Sequence, residues 1–359
     1  MSLFATPDSS ALTDYSRLST GDSNHDALLI VSFGGPEGMD DVIPFLENVL
    51  RGRNVPRERM LAVARHYELF DGVSPINAQN RRLIARLQQR LDEAGPHLPI
   101  YFGNRNWHPL LADTMRQMHA DGVKNALAFV TSAYSSYSSC RQYLEDIERA
   151  RATVGNDAPR VEKLRAFYNH PNFIAANAAN VLTALETIPP GRRAETEIVF
   201  TAHSIPVSMA QNCDYESQLR ETARLVAETA KAENWELVYQ SRSGSPAQPW
   251  LGPDVCDYLQ ELDARKVRDV VVAPIGFVSD HMEILYDLDT EAATLCLELG
   301  LNMARAATAG AHPEFVEMIR ELVLERMQPA AHQPRSLGTH GARASECAVN
   351  CCPAPARPQ

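Results

Sequence analysis

Apolar residues fall in short runs separated by longer amphipathic stretches. The runs are Ala27-Leu-Leu-Ile-Val-Ser-Phe33, Leu98–Phe102, Asn125–Thr131, Ile198–Ala202, Leu237–Gln240 and Val267–Ile275. Near-continuous apolar runs of this length predict strands covered on both faces. Between them lie patterns of helical period. Ile84, Leu87 and Leu91 share one face, as do Leu219, Ala223 and Val226 within Tyr215–Glu233, and Glu314–Met327 repeats the pattern. Strands alternating with helices predict an α/β protein with mainly parallel sheets. Lys124-Asn-Ala-Leu-Ala-Phe-Val-Thr131 and Lys266-Val-Arg-Asp-Val-Val-Val-Ala-Pro274 each run from a basic residue through a strand to a polar loop. That order suggests two similarly built halves. The expected organisation is a disordered leader at 1–25, an N-terminal half at 26–160, a C-terminal half at 161–327 and a tail at 328–359.

Charge and composition narrow the function. The 34 Lys and Arg against 45 Asp and Glu leave a net charge of −11, which argues against binding along a nucleic-acid backbone. No run of 18 apolar residues exists, so stable membrane insertion is not expected. The first 25 residues have neither a basic start nor an apolar stretch, and a cytoplasmic setting with reduced thiols is expected. Of the seven cysteines, Cys347, Cys351 and Cys352 crowd the last 13 residues.

Ligands of open parallel sheets bind beyond the carboxyl ends of strands, so the residues that follow strands are the place for chemistry. Thr201-Ala-His-Ser-Ile-Pro206 follows one strand, and His203 there is either a metal ligand or proton acceptor, or a loop-bonded histidine. Phe277–Glu291 follows another, with Ser279 or Asp280 expected to cap a helix. Glu283, Asp287 and Glu291 recur at i, i+4 and i+8. A solvated acidic face and a row of oxygen ligands for Fe²⁺ or Mg²⁺ both fit that spacing. No G-x-G-x-x-G or G-x-x-x-x-G-K-[ST] motif is present, so nucleotide binding has little support. For the terminal cysteines an iron–sulfur cluster, a zinc site and incidental thiols all remain open on spacing alone.

These residues resemble a known family. Thr201-Ala-His-Ser-Ile-Pro206 and Pro274-Ile-Gly-Phe-Val-Ser-Asp-His-Met-Glu-Ile-Leu-Tyr-Asp287 are similar to the two signature motifs of ferrochelatases. Ser32-Phe-Gly-Gly-Pro36, Arg51-Gly-Arg53, His66-Tyr67, Gly72-Val-Ser-Pro-Ile-Asn77 and Tyr101–Pro109 match further blocks in the same order. The variant most like the chain is the actinobacterial coproporphyrin III ferrochelatase. The resemblance implies two Rossmann-like halves with parallel sheets, of the class II chelatase type, and a porphyrin cleft between them. It implies that His203 and Glu283 meet the metal, with Asp287 and Glu291 leading away from them. Ser74, Tyr143, His66 and Tyr67 match positions that hold the porphyrin. Phe33 stands where some bacterial members have a tyrosine able to ligate product iron, and Leu50 stands where some have a propionate-binding arginine, which leaves Arg51 and Arg53 as candidates. The family also implies a [2Fe–2S] cluster on Cys140, Cys347, Cys351 and Cys352.

The expected activity is insertion of Fe²⁺ into coproporphyrin III by a monomer in heme biosynthesis. Insertion requires iron to lose water and two pyrrole protons to leave; imidazole and carboxylate suit both tasks. The stretch 51–66 carries Arg51, Arg53, Arg57, Arg59 and Arg65 against the single acid Glu58. Arginine pairs well with carboxylates, which favours the four propionates of coproporphyrin III over the two of protoporphyrin IX. A protoporphyrin IX or sirohydrochlorin chelatase, and a non-catalytic iron–sulfur or heme-binding sensor, are the competing readings.

Overall fold

Among the described residues, eight strands form two four-stranded sheets in which every pairing is parallel. The structure, a computed structural model, describes residues 25–52, 55–243, 248–348 and 351–354. Nearly all of the expected leader and one expected site residue, Arg53, lie outside them. The first sheet is built by β1 (Ala27–Ser32), α1 (Met39–Leu50), α2 (Arg57–Glu68), α3 (Ile76–Ala94), β2 (Ile100–Asn104), α4 (Leu111–Ala120), β3 (Asn125–Val130), α5 (Gln142–Val154) and β4 (Arg160–Lys163). The second follows with α6 (Pro171–Glu186), β5 (Glu197–His203), α7 (Val207–Ala210), α8 (Tyr215–Ala230), β6 (Trp235–Gln240), α9 (Val255–Ala264), β7 (Asp269–Ala273), α10 (Met282–Tyr286), α11 (Ala293–Leu299), β8 (Asn302–Arg305) and α12 (Pro313–Met327).

The strand orders are β2-β1-β3-β4 and β6-β5-β7-β8, the same winding twice. In each sheet the chain leaves the first strand to one side and then crosses to the other, which creates a switch point at the carboxyl ends of β1 and β3, and of β5 and β7. The two inner strands are buried on both faces. Leu28 and Ile30 of β1 pack with Leu83, Leu87 and Leu91 of α3, while Leu29 and Val31 pack with Met115 and Met118 of α4. The period-2 alternation thus feeds two layers of helix. The larger of these cores runs on through α6, α8 and α12 to Ile198, Phe200 and Val271 of the second sheet. The halves therefore share one apolar interior.

Two details differ from expectation. β2 begins at Ile100, because Pro99 has no N–H for the ladder and supplies only its carbonyl, which accepts from Leu28 N at 3.0 Å. β4 pairs with β3 and carries the first sheet to Lys163, past the division expected after 160.

Candidate active site

The ends of β5 and β7 are drawn together by one glycine. Gly276 N donates to Thr201 O at 3.0 Å, and a Cβ on Gly276 would lie 2.6 Å from Ala202 Cα. Any side chain there would push the two sequence motifs apart. Beyond Gly276 the chain turns into α10, whose cap is His281: its Nδ1 accepts from Glu283 N at 3.2 Å. Ser279 and Asp280, the expected caps, serve the junction between the halves instead. Asn80 of α3 donates to Ser32 Oγ at 2.8 Å and lies 3.4 Å from Ser279 Oγ. Gln79 exchanges two hydrogen bonds with Asp280. The second motif is thus tied to the end of β1, and the first is joined to it through Gly276.

His203 and Glu283 face each other across this junction, with Nε2 and Oε2 3.7 Å apart. His203 Nδ1 lies on the carbonyl of Ser204. A carbonyl only accepts, so Nδ1 carries the proton in neutral imidazole and Nε2 presents a lone pair toward Glu283. Two Lewis bases separated by 3.7 Å, with bonds of about 2.1 Å to a divalent first-row ion, make a bite that one cation can span. Both side chains keep solvent access, 32% for His203 and 50% for Glu283.

The acidic row leads away from this pair, but not on a regular helix. Residues Asp287–Ala292 form a π-helical segment between α10 and α11, where Thr290 Oγ1 donates to Leu285 O at 3.0 Å. Single π turns often mark functional positions. Asp287 is held by the hydroxyl of Ser241 and by Gln240 Nε2. Its pKa is raised to about 7, first by burial and then by the charges of Glu283 and Glu291. The Cys256 thiol, on the neighbouring α9, is pushed up to about 12 by burial and the nearby carboxylates. Among the described residues no three His, Cys, Asp or Glu side chains converge to hold a metal ion. His203 and Glu283 are a pair, and Asp287 and Glu291 stand behind it.

Helix α2 brings the other expected residues up to this site. The His66 ring stacks on Tyr286 with centroids 3.7 Å apart and planes 7° from parallel. Burial lowers the His66 pKa against the pull of Glu291. Tyr67 is buried, and burial together with the Glu283 charge holds its phenol well above the usual range. Tyr67 packs on Phe45, which meets Phe33 edge to face at 6.2 Å. Phe33 in turn lies under Arg105, whose guanidinium is 5.7 Å from the Phe33 ring and 4.4 Å from that of Tyr143. Tyr143 is therefore covered, buried between the first sheet's helices and an Arg105 that also pairs with Asp146. Ser74 is buried against Gly35, where a Cβ would lie 2.7 Å from the serine Cβ. Arg51 closes α1, exposed and bonded to Asn48. The sequence reasoning missed Tyr286, Arg105, Ser241 and Gln240. Ser241 and Gln240 sit at the end of β6, where the strand-end rule points.

The four cysteines are linked by contacts from one to the next. The Cys140 thiol, in a π-helical turn over Tyr137–Arg141, hydrogen-bonds to Cys347, and Cys351 Sγ is 3.5 Å from Cys352 Sγ. The Cys347 thiol is drawn down to about 5, chiefly by the hydrogen bond from Cys140, with Lys163 and Arg343 assisting. Cys352 has a φ of 51°, the left-handed backbone that allows two adjacent cysteines to reach one place. The Cys213 thiol is raised by burial, with smaller pushes from the charges of Asp214 and Cys351.

Comparison with known proteins follows the same lines. The ferrochelatase family model matches residues 25–327. A protein called ferrochelatase from Rhodopirellula baltica is 61% identical over 329 residues, covering 91% of this chain and 93% of that protein. Proteins called coproporphyrin III ferrochelatase are 50% identical in Streptomyces coelicolor, over 92% of this chain and 94% of theirs, and in Nocardia farcinica, over 93% and 98%. The chelatase SirB from Bacillus subtilis, solved with Fe³⁺, superposes with a TM-score of 0.53 at 13% identity, covering 87% of this chain and 99% of SirB. That likeness concerns the fold, two Rossmann-like halves of the chelatase type.

Proposed function

The chain belongs to the ferrochelatase family, and we propose that within it the enzyme inserts Fe²⁺ into coproporphyrin III to give Fe-coproporphyrin III. The observation that carries the chemistry is the facing His203 and Glu283 pair, 3.7 Å apart with no proton between them in the neutral tautomer. Fe²⁺ arriving as substrate meets one nitrogen and one oxygen donor. As the pyrrole nitrogens take the metal, the same Nε2 lone pair can receive a pyrrole proton. Asp287, titrating near neutrality, is a second acceptor behind it. The name shared by the relatives at 50% identity, and the arginines at the end of α1 and along α2, support coproporphyrin III as the porphyrin. Protoporphyrin IX is favoured by one observation: Leu61 and Val63 of α2 and the following Leu69 are exposed, 63% for Leu69. Exposed apolar side chains of this kind suit a lipid surface. An anaerobic Fe²⁺ insertion assay decides between them. The expected result is a higher kcat/KM for coproporphyrin III without detergent; a preference for protoporphyrin IX stimulated by lipid would reverse the assignment.

A [2Fe–2S] cluster on Cys140, Cys347, Cys351 and Cys352 belongs to the same proposal. The donor set fits in number and kind: four thiols linked by hydrogen bonds and short sulfur contacts, one already acidic. Each iron of such a cluster takes two of the four, so three donors need not meet at one point. The bound cluster would cross-link the tail to the first half, and Lys163 and Arg343 beside Cys347 would balance its thiolate charge.

A further inference from the structure

Two buried tyrosines hold the backbone of the two segments that carry the metal pair, one at His203 itself and the other at Ile275, upstream of Glu283. Tyr215, the first residue of α8, donates from its hydroxyl to the carbonyl of His203 at 3.0 Å. Tyr134, in the loop after β3, donates to the carbonyl of Ile275 at 2.8 Å. The first bond fixes the end of β5 and the second the chain just beyond β7. The two rings meet edge to face with centroids 6.0 Å apart, so each hydroxyl is placed relative to the other across the two halves. Burial raises both phenols well above their usual range. They stay protonated, and so remain donors, throughout the working pH range.

The C-terminal tail grips this pair from outside. Tyr168 tilts against Tyr134, and its hydroxyl lies 3.3 Å from His340 Nδ1. Arg343 pairs at 2.8 Å with Asp214, the residue before Tyr215. Gly338, with a φ of 72°, lies over α8 so closely that a Cβ would sit 1.8 Å from Glu221 Oε1. Leu337 N donates to Asn169 O at 2.9 Å. One short strap, residues 337–343, thus touches both tyrosines' surroundings.

We propose that Tyr134 and Tyr215 are positioning residues for metal insertion, a clamp that sets the spacing of His203 and Glu283 and is stiffened by the C-terminal strap. The His203 ring is bonded to the Ser204 carbonyl, so a movement of that backbone carries the ring with it. The activity readouts below rest on the ferrochelatase reading; the exchange readout does not.

The test uses the full chain. Tyr215→Phe keeps the ring contact and removes only the hydroxyl. Loss of that one hydrogen bond is expected to lower kcat about tenfold and raise the Fe²⁺ KM several-fold, with the porphyrin KM within about twofold. A merely structural role would reduce the folded yield and leave kcat per folded molecule and both KM values unmoved. Gly338→Ala displaces the strap far from the cleft. It should lower kcat about threefold alone and have no further effect on the Tyr134→Phe/Tyr215→Phe double variant, since coupled sites are non-additive. Equal losses in both backgrounds would overturn the role of the strap. Amide hydrogen exchange of the segment 199–206 in the metal-free chain should quicken about tenfold in Tyr215→Phe. Unchanged exchange overturns the clamp, whatever the activity. Should the wild type insert iron into no porphyrin, the functional reading fails, and exchange still decides the clamp. If Tyr134→Phe does not fold, Tyr215→Phe alone carries the test.

Discussion

Asp287→Asn separates what the acidic row does for function from what it costs the fold. Burial, reinforced by Glu283 and Glu291, moves this carboxyl from 3.8 to about 7, while Ser241 and Gln240 hold it back. The folded chain therefore binds the proton more tightly than the unfolded one. Stability is complete below the unfolded pKa and is lost as pH rises through the window from 3.8 to about 7. At about 1.36 kcal/mol per unit, ionisation of the unfolded chain costs the fold roughly 1.5 kcal/mol at pH 5 and roughly 4 kcal/mol at pH 8. Asparagine stays neutral and keeps an oxygen for the Ser241 hydroxyl. The variant should then gain about 2.5 kcal/mol more over wild type at pH 8 than at pH 5. For a chain of 359 residues the unfolding entropy is about 0.75 kcal/mol/K, which makes the extra gain roughly 3 to 4 °C in Tm. Thermal unfolding of both metal-free proteins by circular dichroism at pH 5, 6, 7 and 8 measures it, because groups common to both cancel. A difference that is flat with pH, or a variant less stable at pH 8, refutes the burial of this carboxylate. Iron insertion should fall in the same variant, since the path to His203 loses a charge and a proton acceptor.

Three further outcomes follow from the geometry. His203→Ala should lower kcat for iron insertion at least about 100-fold, and Glu283→Gln should do nearly as much with the fold intact by circular dichroism; near wild-type turnover in either breaks the pair. Cys140→Ser should remove the visible absorption and acid-labile sulfide of protein purified without oxygen, while Cys256→Ser and Cys296→Ala keep both; a chromophore that survives without Cys140 means another fourth ligand. Gly276→Val should cost about 1–3 kcal/mol or more through the clash with Ala202, read as a lower Tm and lost insertion activity, whereas an unchanged Tm would show that the strand ends are not in contact.

Much of this architecture is written in the chain. Six of the eight strands coincide with apolar runs: the four inner ones, which are covered on both faces, and the edge strands β2 and β6. The two that escaped, Arg160-Val-Glu-Lys163 and Asn302-Met-Ala-Arg305, are sheet edges. Both are only four residues long and carry charge, devices that discourage further pairing at an edge, and that removes the signal. His203 and Glu283 were legible from their place after strands. The stacking of His66 on Tyr286 and the Arg105 bridge between Phe33 and Tyr143 were not. They join residues more than 35 positions apart, which no local period encodes. The π-helical segment was equally silent, since its residues also suit an α-helix.

That segment changes what the acidic row can do. On a regular helix Glu283, Asp287 and Glu291 would stack along one face, spread over about 12 Å and too far apart to close around a single ion. The π turn starting at Asp287 breaks the stacking, and Asp287 is committed to Ser241 and Gln240. What remains around the metal position is one nitrogen and one oxygen, both partly open to solvent. A chelatase needs such poverty. A closed three- or four-ligand site holds its ion as a structural component, whereas in the proposed function iron on His203 and Glu283 would keep open positions for the pyrrole nitrogens. In the same proposal the carboxylates behind the pair would attract Fe²⁺ without ligating it at the same point. With Nδ1 on the Ser204 carbonyl, His203 Nε2 would be left as a base once the ion has moved on.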